Sequence, residues 1–254
     1  MFIAVEDAKL YAVAFGPAAG PVLLAIGGWI GSWELWAEPF AGLSQTWRTI
    51  AYDHRGAGAT VATVESITFD RLVDDVFAVL DAFAVECCVL AAESAGAQVA
   101  LAAALKQPQR IRGLVIVDGL YQPATPPEND PFHWGLHKSY AATLDHFVTA
   151  CIPGQDSEHI KRWRRQILDR ADQGAAIALH LTTGAVDLRP QLGRITQPTL
   201  ILHGEADAIV PVAEARRLAA SLPNATLIVI SGAGHVPTLT HPDEVVREIT
   251  QFFT

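Results

Sequence analysis

The stretch Ala92-Glu93-Ser94-Ala95-Gly96 sets a serine among small residues where two hydrophobic patterns meet. Cys87 to Ala92 is a continuous apolar run, read as a buried strand, and Ala95 to Leu105 is almost wholly helix-forming. A strand that turns sharply into a helix brings the two backbones nearly into contact. The positions two before and two after the serine must then be small, and the serine is thrust out beside a helix N-terminus. An ordinary strand-to-helix turn would look the same, so the rest of the chain has to supply partners. A serine hydroxyl is too weak an acid to attack unaided. It needs a base, a group that orients the base, and hydrogen-bond donors for the oxyanion.

Of nine histidines, His235 has the right setting. It lies in Ser231-Gly232-Ala233-Gly234-His235-Val236-Pro237, between the last predicted strand and the last helix, on the same sheet edge as Ser94. Histidine titrates in the range a general base needs. His203 ends a strand too close to the core, and His54 reads as a loop residue at a strand end. His133, His137, His146, His159, His180 and His241 are expected to be surface or satisfied residues. The orienting acid falls between serine and histidine in a serine–acid–histidine order. The loop His203-Gly204-Glu205-Ala206-Asp207 fits, with Asp207 first, Glu205 second and Asp118 third in preference. Oxyanion donors should be backbone amides: Ala95, first after the serine, and one from the glycine-rich loop Gly27-Gly28-Trp29-Ile30-Gly31-Ser32, placed at Trp29 or, shifted by one, at Gly28.

These loops need strands to hold them. Phe2–Val5 and Lys9–Ala14 read as a hairpin, followed by strands at Val22–Ile26, Arg48–Tyr52, Glu86–Ala92, Ile111–Val117, Thr199–His203 and Ala225–Ile230. Helical spacing runs over Trp33–Leu43, Phe69–Phe83, about Val212–Ser221 and about Pro242–Phe253. The alternation predicts a mostly parallel eight-stranded sheet flanked by helices, an α/β class. It breaks after the sixth predicted strand. Gln122 to Pro131 holds four prolines, and Phe132 to about Gly184 is helical, with Ile160, Trp163, Ile167 and Ala171 as an apolar stripe and Lys161, Arg162, Arg164 and Arg165 on a wet face. The helical block between Gly119 and Pro198 reads as an insertion at the carboxyl edge of the sheet, placed to roof a site there. Gly28, Trp29, Phe132, Trp134 and Tyr140 are the expected substrate contacts. Phe147 is a further aromatic candidate, and Trp163 is placed in the cap core.

Composition bounds the rest. The 254 residues are half hydrophobic and carry a formal net charge of -9, which argues against a nucleic-acid partner. Cys87, Cys88 and Cys151 form no disulfide or zinc pattern. There is no basic leader and no membrane-length apolar run, so the expectation is a cytoplasmic protein with a small-molecule substrate, no membrane partner, and no cofactor or metal.

Taken in order, Gly27-Gly28-Trp29-Ile30-Gly31-Ser32, Tyr52-Asp53-His54-Arg55-Gly56-Ala57-Gly58, Glu93-Ser94-Ala95-Gly96, His203-Gly204-Glu205-Ala206-Asp207 and Gly234-His235 resemble the α/β-hydrolase superfamily. The likeness is to its serine branch, small carboxylesterases and enol-lactonase-like hydrolases. It implies Ser94 as nucleophile, Asp207 as acid, His235 as base, and a helical cap over 121–197 on a core of 1–120 and 198–254. The reaction expected is hydrolysis of an ester or lactone through an acyl-enzyme, and the aromatic candidates for the pocket point to a small, largely apolar substrate. Carbon–carbon or thioester hydrolysis, and a ligand receptor on the same fold, are the alternatives. Two positions depart from the pattern. Ala92 replaces the first elbow glycine. Gly27 replaces a histidine, which removes the usual side-chain anchor of the oxyanion loop.

Overall fold

The computed structural model describes residues 1–154 and 157–253. Nine strands form one sheet: β1 (Phe2–Val5), β2 (Ala8–Phe15), β3 (Val22–Ile26), β4 (Arg48–Asp53), β5 (Val61–Ala62), β6 (Cys88–Glu93), β7 (Ile111–Val117), β8 (Thr199–Gly204) and β9 (Ala225–Ile230). The spatial order is β1-β2-β4-β3-β6-β7-β8-β9, with β5 beside β2. The pairs β1–β2, β2–β4 and β2–β5 are antiparallel, and every pair from β4 to β9 is parallel. The eight expected strands are all present. The ninth, β5, has two residues, one exposed and one half-buried, so no apolar run marks it. It makes β7 the seventh strand in the chain rather than the sixth.

All six residues of β6 and of β8 are buried, so both faces of the central sheet are covered. The covering helices are α1 (Ala37–Leu43), α2 (Phe69–Ala82), α3 (Gly96–Lys106), α8 (Val212–Ser221), the one-turn α9 (Pro237–Thr240) and α10 (Pro242–Phe253). α1 packs on α10, and α2 packs on α3. The spacing Trp33–Leu43 resolves into a 3-10 turn at Trp33–Trp36 and then α1. Between β7 and β8 lie α4 (Pro131–Lys138), α5 (Tyr140–Cys151), α6 (Glu158–Leu168) and α7 (Gln173–Gly184). Pro131 opens α4 at its first position, where a missing N–H costs nothing, and Asp130 caps it by accepting from the Phe132 amide at 2.9 Å. No described helix is long and apolar enough to cross a membrane.

The end of β4 and the loop after it are tied to the segment that follows the glycine-rich loop and to α2. Asp53 accepts from the amides of Trp33 and Ala59, each at 2.7 Å. Arg55 is buried and forks onto Asp75 of α2 through Nε at 2.7 Å and Nη2 at 3.0 Å, with a third contact to Asp7. Removing one partner of a buried pair strands the other charge, so Arg55→Met should cost about 3–5 kcal/mol in urea denaturation. The double variant Arg55→Met/Asp75→Leu should recover most of that loss. Equal destabilisation of the single and double variants would contradict the pairing.

Candidate active site

β6 ends directly in the turn that carries Ser94. The Ser94 backbone is left-handed, with φ of 51°. Its amide donates to the Val117 carbonyl at 2.9 Å, and its carbonyl accepts from Leu120 and Ala97 at 3.0 Å. The crowding expected at this turn is visible at two glycines. A methyl on Gly28 would lie 2.9 Å from Ser94 Cβ, and one on Gly96 would lie 2.5 Å from the Gly27 carbonyl oxygen. Ala92 is accommodated, fully buried between Ile26 and Ile116 of the neighbouring strands.

His235 Nε2 lies 2.9 Å from Ser94 Oγ, and His235 Nδ1 lies 2.8 Å from Asp207 Oδ2. His235 is fully buried, and Ser94 and Asp207 are nearly so. Asp207 Oδ1 accepts from the Ile209 and Val210 amides at 2.8 and 2.9 Å, so both oxygens are engaged. Burial raises the Asp207 carboxyl, but the hydrogen bond and charge of His235 and the two amides outweigh it, leaving the group below its ordinary range. The other two acids considered sit elsewhere. Glu205 accepts from Ser231 Oγ at 2.8 Å and from the Gly232 amide. Asp118 is buried, accepts from the Gly204 amide at 2.8 Å, and faces His203 Nδ1 at 3.5 Å. His203 in turn donates from Nε2 to the Val210 carbonyl at 2.8 Å. Asp118 and His203 therefore brace both ends of the loop that carries Asp207.

The Trp29 and Ala95 amides have no acceptor among the described residues. Both residues line a cavity of about 390 Å³ that also touches Ser94. The glycine-rich loop is anchored in spite of Gly27: His54 Nε2 lies 3.2 Å from the Gly28 carbonyl, and Trp29 Nε1 donates to the Ala176 carbonyl of α7 at 2.9 Å. His54, the first residue after β4, is thus more than a loop residue, though no local pattern in the sequence marks it.

Phe132 and Phe147 also line the cavity, each meeting the Trp29 ring edge-on at 5.0 and 5.3 Å. Gly28, Trp134 and Tyr140, also expected as contacts, are not among the cavity's lining residues. Trp134 is 47% exposed. Tyr140 spends its hydroxyl on the Ala171 carbonyl at 3.0 Å, inside the helical block. The stripe assigned to α6 holds at Ile167 and Ala171, which are buried, and at Ile160, which packs on the core, but two positions are exchanged: Trp163 is 40% exposed and Arg164 is buried. The reason is Glu93, the residue before Ser94, which is fully buried. Its carboxylate faces Arg164 at 3.4 Å and accepts from Thr238 Oγ1 at 3.1 Å. Burial raises the Glu93 carboxyl while Arg164 opposes the rise. Arg164 also lies over the Phe147 ring at 5.7 Å. A helical period reports where apolar residues recur and cannot show that a buried acid awaits a cation.

The family model described as serine aminopeptidase, S33, matches residues 34–239. The chain belongs to this family. A pimeloyl-[acyl-carrier protein] methyl ester esterase of Aliivibrio salmonicida is 30% identical, over 92% of this chain and 92% of that one. A Caulobacter vibrioides protein provisionally named carbamate hydrolase RutD is 28% identical, over 99% and 97%. Among solved structures, the enol-lactonase from Burkholderia xenovorans LB400 superposes with a TM-score of 0.92, at 21% identity over 99% of both chains. The fold is that of the α/β-hydrolases.

Asp118 provides a test of the electrostatics behind the loop that carries Asp207. Burial, and after it the charge of Asp207, raise its carboxyl well above the ordinary value. The unfolded chain, with an aspartate near about 3.9, therefore holds fewer protons than the folded one in the window between the two values. Stability from this group is full below the unfolded value and falls as pH rises through the window. Asp118→Asn keeps the acceptor for Gly204 and lacks the penalty. Urea midpoints should shift in favour of the variant as pH rises from about 4 to 7; a gap that stays constant or reverses would contradict the assignment.

Proposed function

We propose that this chain is a serine hydrolase that cleaves a carboxylic ester or lactone of a small, largely apolar substrate. Ser94 is the nucleophile, His235 the general base, Asp207 the orienting acid, and the Trp29 and Ala95 amides form the oxyanion hole. The helices between β7 and β8 act as a cap, 121–197, over a core of 1–120 and 198–254. The observation that carries the reading is the unbroken hydrogen-bonded chain from Asp207 through His235 to Ser94, with two amides beside it that have no acceptor among the described residues.

In this scheme His235 Nε2 takes the Ser94 proton as Oγ attacks the carbonyl carbon. Asp207 holds the proton on Nδ1 and stabilises the imidazolium that forms. The negative charge that develops on the carbonyl oxygen is met by the two amides, each worth about 3 kcal/mol at such a site. Collapse expels the alcohol, which takes the proton from His235. Water then repeats the sequence on the acyl-enzyme. The apolar wall of Trp29, Phe132 and Phe147 suits a hydrocarbon acyl or alcohol group.

The named esterase relative supports ester over peptide cleavage. Binding a free amino terminus would call for an uncommitted carboxylate at the cavity. Asp130 is the acid among its lining residues, and both its oxygens are already bonded, to the Phe132 amide and to His180. The three thiols, Cys87, Cys88 and Cys151, are unpaired, which fits a reducing cytoplasmic setting.

Turnover of p-nitrophenyl butyrate tests the assignment. Ser94→Ala and His235→Ala should each lower kcat by a factor on the order of a million, and the double variant should lose no more than either. Activity within tenfold of wild type in either single variant would overturn it.

A further inference from the structure

Beyond the aromatic wall, the cavity is lined by a polar pair that the proposed reaction does not use. Asp130 Oδ1 caps α4, and Asp130 Oδ2 lies 2.8 Å from His180 Nε2 on α7. Both residues line the cavity and are mostly buried, with side-chain exposures of 16% for His180 and 11% for Asp130. The His180 ring meets Phe132 edge-on at 5.3 Å and stacks on His133 at 5.9 Å. A carboxylate accepts hydrogen bonds and donates none, so Asp130 fixes a proton on Nε2. Burial lowers the affinity of the ring for a second proton below its ordinary value, and Asp130 opposes that. The neutral ring then presents a lone pair at Nδ1. Nδ1 has no protein partner among the described residues.

We propose that His180, held in one tautomer by Asp130, is a specificity-determining acceptor for a hydroxyl or amide N–H of the substrate. The donor lies one aromatic ring along the wall from Trp29. The substrate class narrows accordingly: an ester or lactone with an apolar stretch next to the reacting carbonyl and a hydrogen-bond donor beyond it, rather than a plain alkyl ester. The inference rests on the hydrolase reading only for the choice of ligand.

Binding to the full chain carrying Ser94→Ala tests it without turnover. The probes are methyl hexanoates bearing a hydroxyl, or a matched methoxy, at each position of the chain. At one position the hydroxyl ester should bind about tenfold more tightly, the worth of one hydrogen bond gained and one donor not left unpaired. Adding His180→Phe should bring that ratio to about one. Adding Asp130→Asn is more telling. Asparagine still caps α4, but its amide donates to Nε2 and drives the ring proton to Nδ1, which becomes a donor. The methoxy ester should then gain affinity and match the hydroxyl ester, an effect that mere damage to the wall would not produce. Equal binding of the two esters at every position, or a preference that survives His180→Phe, overturns the inference. Turnover by wild type with no hydroxyl preference would leave the hydrolase reading standing and sink this one. A hydroxyl preference in binding without wild-type turnover would do the reverse.

Discussion

The left-handed backbone at Ser94 is the constraint on which the site depends. A non-glycine residue there costs on the order of 1–3 kcal/mol and persists only where its surroundings over-determine it. Here they do. The Ser94 amide is tied to Val117, its carbonyl to Leu120 and Ala97, and glycines at 28 and 96 let the loop and the helix close in. Asp118, at the end of the neighbouring strand, is left-handed as well, with φ of 48°. The two central strands therefore leave the sheet side by side through strained residues, Ser94 bonded across to Val117 and Leu120 and Asp118 bonded onward to Leu202 and Gly204 of β8. The outcome is a hydroxyl held 2.9 Å from His235 Nε2 at the N-terminus of α3.

The helices between β7 and β8 are bound to that geometry at three places. The His235 amide donates to the Cys151 carbonyl at the end of α5, at 2.8 Å. Trp29 reaches Ala176 of α7, and Glu93 meets Arg164 of α6. Each tie lands on a proposed site residue or on its neighbour in the chain. The proposed cap therefore helps to position His235 and the glycine-rich loop, in addition to shaping the cavity. A buried pair such as Glu93–Arg164 contributes little net stability against an apolar alternative; its effect here is to fix how α6 sits over the Ser94 turn.

Much of this was legible in the chain. Fully buried parallel strands are continuous apolar runs, so Val22–Ile26, Ile111–Val117 and Thr199–His203 could be read directly, and the loops at their carboxyl ends had to share one edge. Ser94, His235 and Asp207 were picked out by that placement. Contacts across the insert were not legible. Periodicity put Trp163 inward and Arg164 outward because it weighs hydrophobicity alone, and the buried Glu93 reverses both. Aromatic type alone could not separate Phe132, at the cavity, from Trp134, two residues on and on the outer side of the same helix. His54 was passed over because a side chain that anchors a distant carbonyl leaves no local pattern, and β5 was too short to leave one.

Intact-mass analysis after incubation with a fluorophosphonate, followed by peptide mapping, addresses the central claim most directly, because the reagent bonds only to an activated serine. A single adduct on Ser94 in the wild type, absent in His235→Ala, is the predicted result. No adduct, an adduct on another residue, or undiminished labelling of His235→Ala would contradict it.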